Sequence, residues 1–401
     1  MVSALNVIDV SRVTPSDSPE PFTLSLTFFD LLWYKLHPVQ RVIFYRLADA
    51  TRPFFDSVIV PNLKSSLSSS LSHYLPLAGK LVWDSLDKKP SLKYSQNDAV
   101  SFTVAESNAE FSLLTGNKPF PTTELYPLVP ELQVSDESAS AVSFQVTLFP
   151  NQGFCIGVTA HHAVLDGKTT TMFLKFWANT CKRQQDQTVN ASVSQDLIPI
   201  YDRTVIKAPG DIETKIMNQL SSFFKMVSGG KEPENPRSLK ILPSQELTQL
   251  LSVAGSTRFG VYELDFGWGK PQRVVIVSID QGEAISMAEG RDGNGGVEIG
   301  FSLKKHEMES LIDLLHQGLK NEKLIDASFP WKIFSGYSRS SVDMHKGNIS
   351  FSNIAEDVFY KVVPAQREKE EDEDKKDQGL SSFDTGSLGL LIWRHWVQGA
   401  Q

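Results

Sequence analysis

The most constraining feature of the sequence is a pair of apolar runs joined by a short turn near the middle of the chain. Residues 141–149 alternate apolar and polar side chains, residues 150–153 read Pro-Asn-Gln-Gly, and residues 154–160 form a second apolar run. Alternation with a period of two is typical of a β-strand, and Pro, Asn and Gly favour turns. The pattern predicts two paired strands, and the second leads directly into a segment that reads His-His-Ala-Val-Leu-Asp-Gly.

Periodic segments on either side of this strand pair complete the predicted fold class. A serine-rich segment opened by Pro61 carries leucines every four residues, which predicts a helix with its leucines in the core and its serines toward water. These leucines are Leu63, Leu67, Leu71 and Leu75. Further along, residues 274–278 and 297–303 are predicted strands. A helix should follow, with one apolar face made of Met308, Leu311, Ile312, Leu315 and Leu319. Strands mixed with helices in this way predict an α/β fold.

Composition narrows the class of protein. With 401 residues and 41% hydrophobic residues, the chain can bury a large core, so global disorder is excluded. The 39 basic against 47 acidic residues leave a net charge of −8 and no basic face, so we expect no nucleic-acid partner. Two cysteines suit a reducing compartment. Without a signal peptide or an apolar run near the ~18 residues of a membrane helix, we expect a cytosolic protein with no membrane association.

The paired histidines carry the strongest indication of chemistry. Adjacent residues of a strand point to opposite faces, so His161 and His162 cannot both reach one cleft, and one of them should be structural. A positioned imidazole with a pKa near ~6.5 can take the proton from a hydroxyl that attacks an activated acyl group, a contribution of roughly 10² to 10⁴ in rate. If the acyl donor is already activated, as in a thioester, no covalent enzyme intermediate is needed. The absence of a Gly-x-Ser-x-Gly motif is consistent with that chemistry.

The segment at 161–167 also has interpretations other than a general base. A histidine followed four positions later by an aspartate occurs by chance in many chains, and a histidine beside an apolar strand is more often a satisfied core residue than a catalyst. A zinc site made of His161, His162 and Asp166 is disfavoured because the two histidines diverge and no Cys or Glu completes the ligand set. Cys155, within the strand, is better explained as a small buried hydrophobe than as a nucleophile. We therefore predict no metal site.

Two motifs taken together resemble a known family. The His-His-x-x-x-Asp-Gly segment at 161–167, followed later by Asp-Phe-Gly-Trp-Gly-Lys-Pro at 265–271, resembles the plant BAHD acyltransferases, which transfer acyl groups from coenzyme A thioesters. The stretches at 26–30, 33–38 and 74–81 are similar to the branch of that family that malonylates anthocyanin, flavonoid and phenolic glucosides. The similarity covers residues 1 to about 245 and about 250 to 320.

The resemblance implies a fold and a set of roles. The fold is two chloramphenicol-acetyltransferase-like α/β domains with a solvent channel between them, open to acyl-CoA on one side and to the acceptor on the other. The resemblance places His162 in that channel as general base. It makes Asp166 a residue that keeps the loop in shape, and it makes Gly167 the residue that allows a tight turn. The second motif is implied to be structural, and its residues are Asp265, Phe266, Gly267, Trp268 and Gly269.

The sequence also departs from the family pattern. Asp166 and Asp265 are 99 positions apart, shorter than the resemblance leads us to expect by something like a hundred residues, a good fraction of a domain. The missing interval would hold a Tyr-Phe-Gly-Asn-Cys motif and the arginine expected to pair with Asp166. The second of the two domains is therefore predicted to be incomplete. The predicted parts are an N-terminal acyltransferase domain at 1–185, a crossover linker at 186–245, a remnant of the C-terminal domain at 246–320, and a partly disordered tail at 321–401 outside the family pattern.

Three functional hypotheses follow. In the first, a monomeric enzyme transfers an acyl group, malonyl by resemblance, from CoA to a hydroxyl of a phenolic or flavonoid glucoside, with no bound cofactor. Arg291 is a candidate for the malonyl carboxylate because a guanidinium can bind a carboxylate through two hydrogen bonds, although a turn arginine making a surface contact explains it equally well. In the second, the shortened chain is catalytically impaired and only binds ligands or partners. In the third, the same histidine activates water and the protein is a hydrolase.

Overall fold

A computed structural model gives the architecture as two compact units, each assembled from separate stretches of the chain. The first unit comprises Met1–Phe111, Leu125–Leu250 and Glu263–Ser278, and the second comprises Ser112–Glu124, Leu251–Tyr262 and Ile279–Gln401. The described residues are 5–17, 19–34, 37–83, 89–116, 120–135, 137–186, 194–218, 252–281, 284–320, 350–352 and 357–361. Sheets and helices occur in both units, so the predicted α/β class is confirmed.

The first unit contains a six-stranded and a four-stranded sheet. The larger sheet has the spatial order β1 (Leu5–Val13), β6 (Val100–Ser107), β8 (Val142–Phe149), β9 (Gly153–Ala160), β3 (Val39–Arg46) and β11 (Arg273–Ile276). Its strands are antiparallel except for the parallel pair β6 and β8. The smaller, antiparallel sheet has the order β2 (Phe22–Ser25), β5 (Ser91–Tyr94), β4 (Lys80–Val82) and β7 (Ser138–Ser140).

Helices pack beside these sheets. They are α1 (Phe28–Leu32), α2 (Arg52–Phe54), which continues through a π-helical turn at Phe55–Ile59 into α3 (Val60–His73), and α5 (Gly167–Gln185). Another short helix, α4 (Phe111–Thr115), has its residues 112–115 in the second unit. Short 3₁₀ turns occur at Leu75–Ala78, Thr122–Glu124, Tyr126–Leu128, Gln195–Leu197, Val261–Glu263 and Val277–Gln281. No helix among the residues with described structure is long and apolar enough to cross a membrane.

The predicted strand pair is confirmed as the hairpin of β8 and β9. The register runs from Val142 opposite Ala160 to Phe149 opposite Gly153, and Asn151 in the turn adopts a positive φ of 59°. Every residue of both strands is buried, so the alternation does not mark a face toward water. Among the polar residues of β8, the Gln145 side-chain amide donates to the carbonyl of Pro127 at 2.8 Å, whereas the buried Ser143 hydroxyl has no hydrogen-bond partner among the described residues.

The leucine stripe is confirmed as the buried face of α3, but the prediction for the serines was partly wrong. Leu63, Leu67 and Leu71 have no exposed surface, whereas Leu75 lies in the turn after the helix. Ser66 and Ser70 are equally buried. They follow buried leucines by three positions and so share the leucine face of the helix, where each hydroxyl donates to a backbone carbonyl of the preceding turn.

The second unit is built on a five-stranded sheet. Its order is β10 (Ser252–Ser256), β12 (Ala284–Glu289), β13 (Val297–Lys304), β15 (Asp357–Lys361) and β14 (Ser350–Ser352). Only β10 and β12 run parallel. The predicted strand at 297–303 is β13, and the predicted helix follows as α6 (Lys305–Lys320), in which Met308 is fully buried. The side chains of Leu315 and Leu319 lie outside the described residues.

The strand predicted at 274–278 lies in the first unit. It is β11, one residue earlier and shorter than predicted, and it pairs with β3 at the edge of the six-stranded sheet. The part boundaries at residues 185, 245 and 320 stay a prediction. Two segments of the predicted tail, β14 and β15, form strands, while the charged run at 367–377 lies outside the described residues.

Candidate active site

The loop after β9 brings the paired histidines to the end of a buried strand. The backbone N–H of His161 donates to the carbonyl of Ala141 at 2.9 Å, and the carbonyl of His161 accepts from Val164 and Leu165, which closes a tight turn. Asp166 then caps α5, because its Oδ1 accepts from the backbone N–H of Thr169 at 2.6 Å. The loop is thus fixed to a strand at one end and to a helix at the other.

Gly167 has a simpler role than the sequence suggested. It is the first residue of α5 and is not among the glycines with positive φ. The turn is made instead by residues 161–165 through the hydrogen bonds to the His161 carbonyl. The conformational freedom of glycine is therefore not what shapes this turn.

The two histidine rings lie in different surroundings. Nδ1 of His161 accepts from the backbone N–H of Ala163 at 3.2 Å, and its ring packs at 5.8 Å on Tyr34. Burial, with a smaller contribution from the neighbouring His162, lowers the pKa of His161 to about 4. This histidine is held neutral and is engaged with the backbone of its own loop.

His162 is stacked on an aromatic ring. The centroids of its imidazole and of the Trp33 indole are 4.4 Å apart, and the two planes differ by 10°. Its Nδ1 is enclosed and has no hydrogen-bond partner among the residues with described structure. Burial lowers the pKa of His162 below its ordinary value, although its own backbone carbonyl and the charge of Asp166 act in the opposite direction. The ring is therefore biased toward its neutral, proton-accepting form.

Trp33 is positioned by helix α1, whose N-terminus is capped. Asp30, in the first turn of α1, accepts hydrogen bonds from the backbone N–H and hydroxyl of Thr27, at 2.6 and 2.8 Å. The same carboxylate forms an ion pair with Arg203. Trp33 is the residue that ends α1. The sequence pattern predicts no role for Trp33, and the residue's one local signal is its position shortly after the Leu-Thr-Phe-Phe-Asp stretch at 26–30.

The second motif lies against α5 and the sheet of the first unit. Phe266 is fully buried, with its ring 4.9 Å from that of Trp177, and the Trp268 ring is 5.7 Å from that of Phe154 in β9. Asp265 makes an ion pair with Lys182 of α5. The motif was predicted to lie in the C-terminal remnant at 246–320, but residues 263–278 belong to the first unit.

Asp265 folds the motif into a compact turn. Its Oδ1 accepts from the backbone N–H groups of Gly267 and Gly269, and both glycines have positive φ, 106° and 96°. Burial raises the pKa of the Asp265 carboxyl, but the bond to Lys182 and the two backbone N–H groups outweigh it, so the pKa is lowered overall. The carboxylate is thus ionised and occupied with the local backbone.

Comparison with known proteins identifies the family. The model of the Transferase family matches residues 4–224 and 210–315. Phenolic glucoside malonyltransferase 1 of Arabidopsis thaliana is 52% identical over 469 residues, which cover 80% of this chain and 99% of that protein. A BAHD acyltransferase of the same plant is 33% identical, with 78% and 98% covered. The chain belongs to the BAHD acyltransferase family. This confirms the predicted activity class, an acyl-CoA-dependent acyltransferase.

The solved structures support the same fold for this BAHD protein. Vinorine synthase matches with a TM-score of 0.50 at 18% sequence identity, over 74% of this chain and 94% of the solved one. The predicted family fold is therefore confirmed at the level of its overall α/β architecture. The solvent channel between the two domains stays a prediction.

The alignments also bear on the shortened interval of this BAHD chain. Malonyl-CoA:anthocyanidin 5-O-glucoside-6''-O-malonyltransferase of Arabidopsis thaliana is 37% identical over 454 residues, with 79% of this chain and 99% of that protein covered. An alignment longer than the 401 residues that nonetheless leaves part of this chain out means that the relative has residues without a counterpart here. The two segments matched by the family model overlap at residues 210–224, which lie in the interval between Asp166 and Asp265 that was predicted to be short.

Arg291 lies in the second unit of the BAHD chain, beside a carboxylate of its own sheet. Its Nε is 3.3 Å from Oε1 of Glu298, and its Nη1 donates to the carbonyl of Thr115 at 3.5 Å. Its Nη2 is buried and has no hydrogen-bond partner within the described part of the chain. The positive charge of the guanidinium is therefore partly compensated by Glu298 and by the Thr115 carbonyl.

The two thiols are unsuited to nucleophilic chemistry. Cys155 and Cys181 are free and buried. Burial raises the pKa of Cys155 well above its ordinary value and that of Cys181 to about 11, so both are protonated near neutral pH. Within the described ranges, no group of three or more His, Cys, Asp or Glu side chains is arranged to hold a metal ion.

Proposed function

We propose that this chain transfers a malonyl group from malonyl-CoA to a hydroxyl of a phenolic or flavonoid glucoside, with His162 as general base and no covalent enzyme intermediate. The observation that carries the proposal is the His162 ring, biased toward its neutral form at the end of a buried strand. The donor and acceptor classes come from the relative that is 52% identical, a phenolic glucoside malonyltransferase.

The geometry favours Nε2 as the proton-accepting atom. Nδ1 of His162 is enclosed, so a substrate hydroxyl has no access to it. A neutral imidazole carries one N–H, and a base needs its reactive nitrogen unprotonated, so the resting proton belongs on Nδ1. Nε2 is then free to accept the hydroxyl proton.

The proposed reaction needs no group outside the two substrates and the imidazole. Nε2 takes the proton as the hydroxyl oxygen attacks the thioester carbonyl, and a tetrahedral intermediate forms. Collapse of this intermediate breaks the carbon–sulfur bond, and the imidazolium returns the proton to the departing thiolate. The products are the malonate ester of the glucoside and free CoA.

We assign the malonyl carboxylate to Arg291. The Arg291 side chain is 28% exposed, which supports this assignment, whereas the neighbouring Glu298 competes for the same charge. To test this assignment, the release of CoA by Arg291→Ala is measured with malonyl-CoA and with acetyl-CoA as donors. The expected result is a loss of kcat/KM confined to the malonyl donor, and equal losses with both donors would remove Arg291 from donor recognition.

A thiol-release assay tests the proposed reaction. Purified protein is incubated with malonyl-CoA and a panel of phenolic and flavonoid glucosides, and the free thiol and the malonylated product are both measured. We expect product with the wild type and with His306→Ala, whose histidine is exposed on α6. His162→Ala should reduce turnover by roughly 10² to 10⁴. Turnover by His162→Ala within tenfold of the wild type would overturn the assignment of the base.

The same assay separates the two rival functions. Binding of malonyl-CoA without turnover in the wild type would favour the catalytically impaired member, which the residues missing relative to the aligned malonyltransferases also favour. Release of CoA at the same rate without any glucoside would favour the hydrolase.

We further propose that the protein works as a monomer in the cytosol. The two free, buried thiols support a reducing compartment. Light scattering during gel filtration measures the mass of the native particle, for which the expected value is that of one chain, 44.6 kDa. A fluorescent fusion of the full chain tests the compartment, and accumulation inside an organelle would contradict the proposal.

A further inference from the structure

We propose that Trp33 is a positioning residue of the acyl transfer: its indole holds the His162 ring in the plane from which Nε2 reaches the substrate hydroxyl. The inference rests on the proposed role of His162 as base. It concerns a residue outside the histidine loop, contributed by the end of α1.

The stack is the contact that orients the ring. Rotation about the second side-chain torsion of a histidine is soft, so an imidazole keeps one orientation only when its surroundings impose it. His161 has such a constraint in the hydrogen bond from Ala163 to its Nδ1. Nδ1 of His162 has no partner of this kind within the described ranges, and the nearly parallel Trp33 ring lies 4.4 Å away. A flat surface at this distance restricts tilting of the imidazole.

The position of Trp33 is itself fixed from two directions. The Thr27–Asp30 capping box sets the start of α1, five to six residues before Trp33. The ion pair from Arg203 reaches the same carboxylate from the segment at 194–218. Asp30 and Arg203 are both partly shielded, with side chains 20% and 30% exposed, so this pair is screened less than a surface pair. A five-residue helix has little stability of its own, and these contacts hold it in place.

Trp33 contributes less to the core than its size suggests. It is only partly buried and packs at the margin of the cluster formed by Leu24, Leu26, Phe28 and their neighbours. Trp83 occupies a similar marginal position in that cluster, and its ring meets that of Tyr34 at 5.6 Å. Trp83 is therefore a matched control for the general effect of removing an indole here.

The kinetic test compares Trp33→Leu, Trp33→Phe and Trp83→Leu in the full chain. Misplacement of a catalytic group by about 1 Å can cost roughly 10²-fold in rate, so Trp33→Leu should lower kcat by at least about tenfold. The KM for malonyl-CoA should stay within about twofold, and the flat ring of Trp33→Phe should restore most of kcat. Equal losses in Trp33→Leu and Trp83→Leu would overturn the inference.

A spectroscopic test needs no turnover. In protein labelled with ¹³C at histidine, the His162 ring signal, assigned by its loss in His162→Ala, should lie upfield because of the Trp33 ring current. Trp33→Leu should move that signal downfield, while Trp83→Leu should leave it in place. An unchanged His162 signal in Trp33→Leu would overturn the inference.

A second pair of variants tests the anchoring of α1. Arg203→Met removes the ion pair to Asp30 and should lower kcat in the same direction as Trp33→Leu but by less. Lys215→Met is its control, since Lys215 makes an exposed pair with Asp211 in the same segment. If His162→Ala keeps its activity, the proposed function fails. If His162→Ala is inactive and Trp33→Leu retains wild-type kcat, only the positioning role of Trp33 fails.

Discussion

Nζ of Lys182 in α5 lies 2.5 Å from Oδ2 of Asp265, the first residue of the second motif. This ion pair joins the helix that follows the histidine loop to a segment more than eighty positions later in the chain. The two motifs by which the sequence resembles its family are therefore linked through one helix in the first unit. The link explains how the second motif can be structural for the first.

We predict that replacing Asp265 lowers the free energy of unfolding by more than removing its ion pair with Lys182 alone. Lys182 is half exposed, so Lys182→Met should cost less than about 1 kcal/mol of unfolding free energy. Asp265→Ala also leaves the N–H groups of Gly267 and Gly269 without their acceptor, which should cost about 2 to 3 kcal/mol in total. Asp265→Asn keeps one acceptor oxygen and should fall between these variants. Urea unfolding measures the order, and equal costs for Lys182→Met and Asp265→Ala would contradict it.

The two glycines of this turn provide a matched pair. Both have positive φ, so either alanine substitution brings backbone strain of about 1 to 3 kcal/mol. A Cβ at Gly269 meets nothing within 4 Å, whereas one at Gly267 comes within 2.6 Å of the Gln185 side-chain nitrogen, which donates to the carbonyl of Phe266. Gly267→Ala should therefore cost about 1 kcal/mol more than Gly269→Ala. Equal midpoints of thermal unfolding would show that Gln185 moves aside freely.

The activity should fall as the pH is lowered, and the midpoint of this acidic limb of the pH profile should lie below pH 6.5. Burial lowers the pKa of His162 from that ordinary value, and a base must be neutral, so kcat/KM should decline tenfold per pH unit below the lowered pKa. The charged or titratable neighbours that act on it are His161 and Asp166.

The variant Asp166→Asn tests whether the acidic limb of the pH profile reports the titration of His162. The variant keeps an oxygen to cap α5 but removes the negative charge that favours the protonated ring, so the acidic limb should move to lower pH. A limb that moves to higher pH, or a wild-type midpoint above 6.5, would contradict the assignment of the limb to His162.

Serines of α3 should differ according to their position on the helix. Ser66 accepts from Nε1 of Trp177 at 3.0 Å and is fully buried, so Ser66→Ala should destabilise the protein by about 1 to 2 kcal/mol. Ser65 is exposed, and Ser65→Ala should stabilise the helix by up to about 0.5 kcal/mol because alanine has the higher helix propensity. Thermal unfolding of the two variants checks the difference, and a loss in Ser65→Ala would contradict it.

Local patterns predicted the elements that carry the candidate site. The alternation and turn before His161 predicted β8 and β9, because hairpin pairing depends on neighbouring residues. The periodicity of the leucines predicted α3, although it misassigned Ser66 and Ser70. Periodicity shows which face of a helix is apolar, and the width of the buried face depends on what packs against it. Here α5 brings Trp177, whose indole N–H needs an acceptor on that face.

Local patterns were enough to predict the strand pair that leads to the paired histidines, and the two motifs were enough to indicate the family. These depend on local spacing and on residue types that chemistry demands. The stacking of Trp33 on His162 and the ion pair between Asp265 and Lys182 arise from the three-dimensional fold alone. The partners in these contacts are separated by 129 and 83 positions, and no local rule connects residues that only the packing of distant segments brings together.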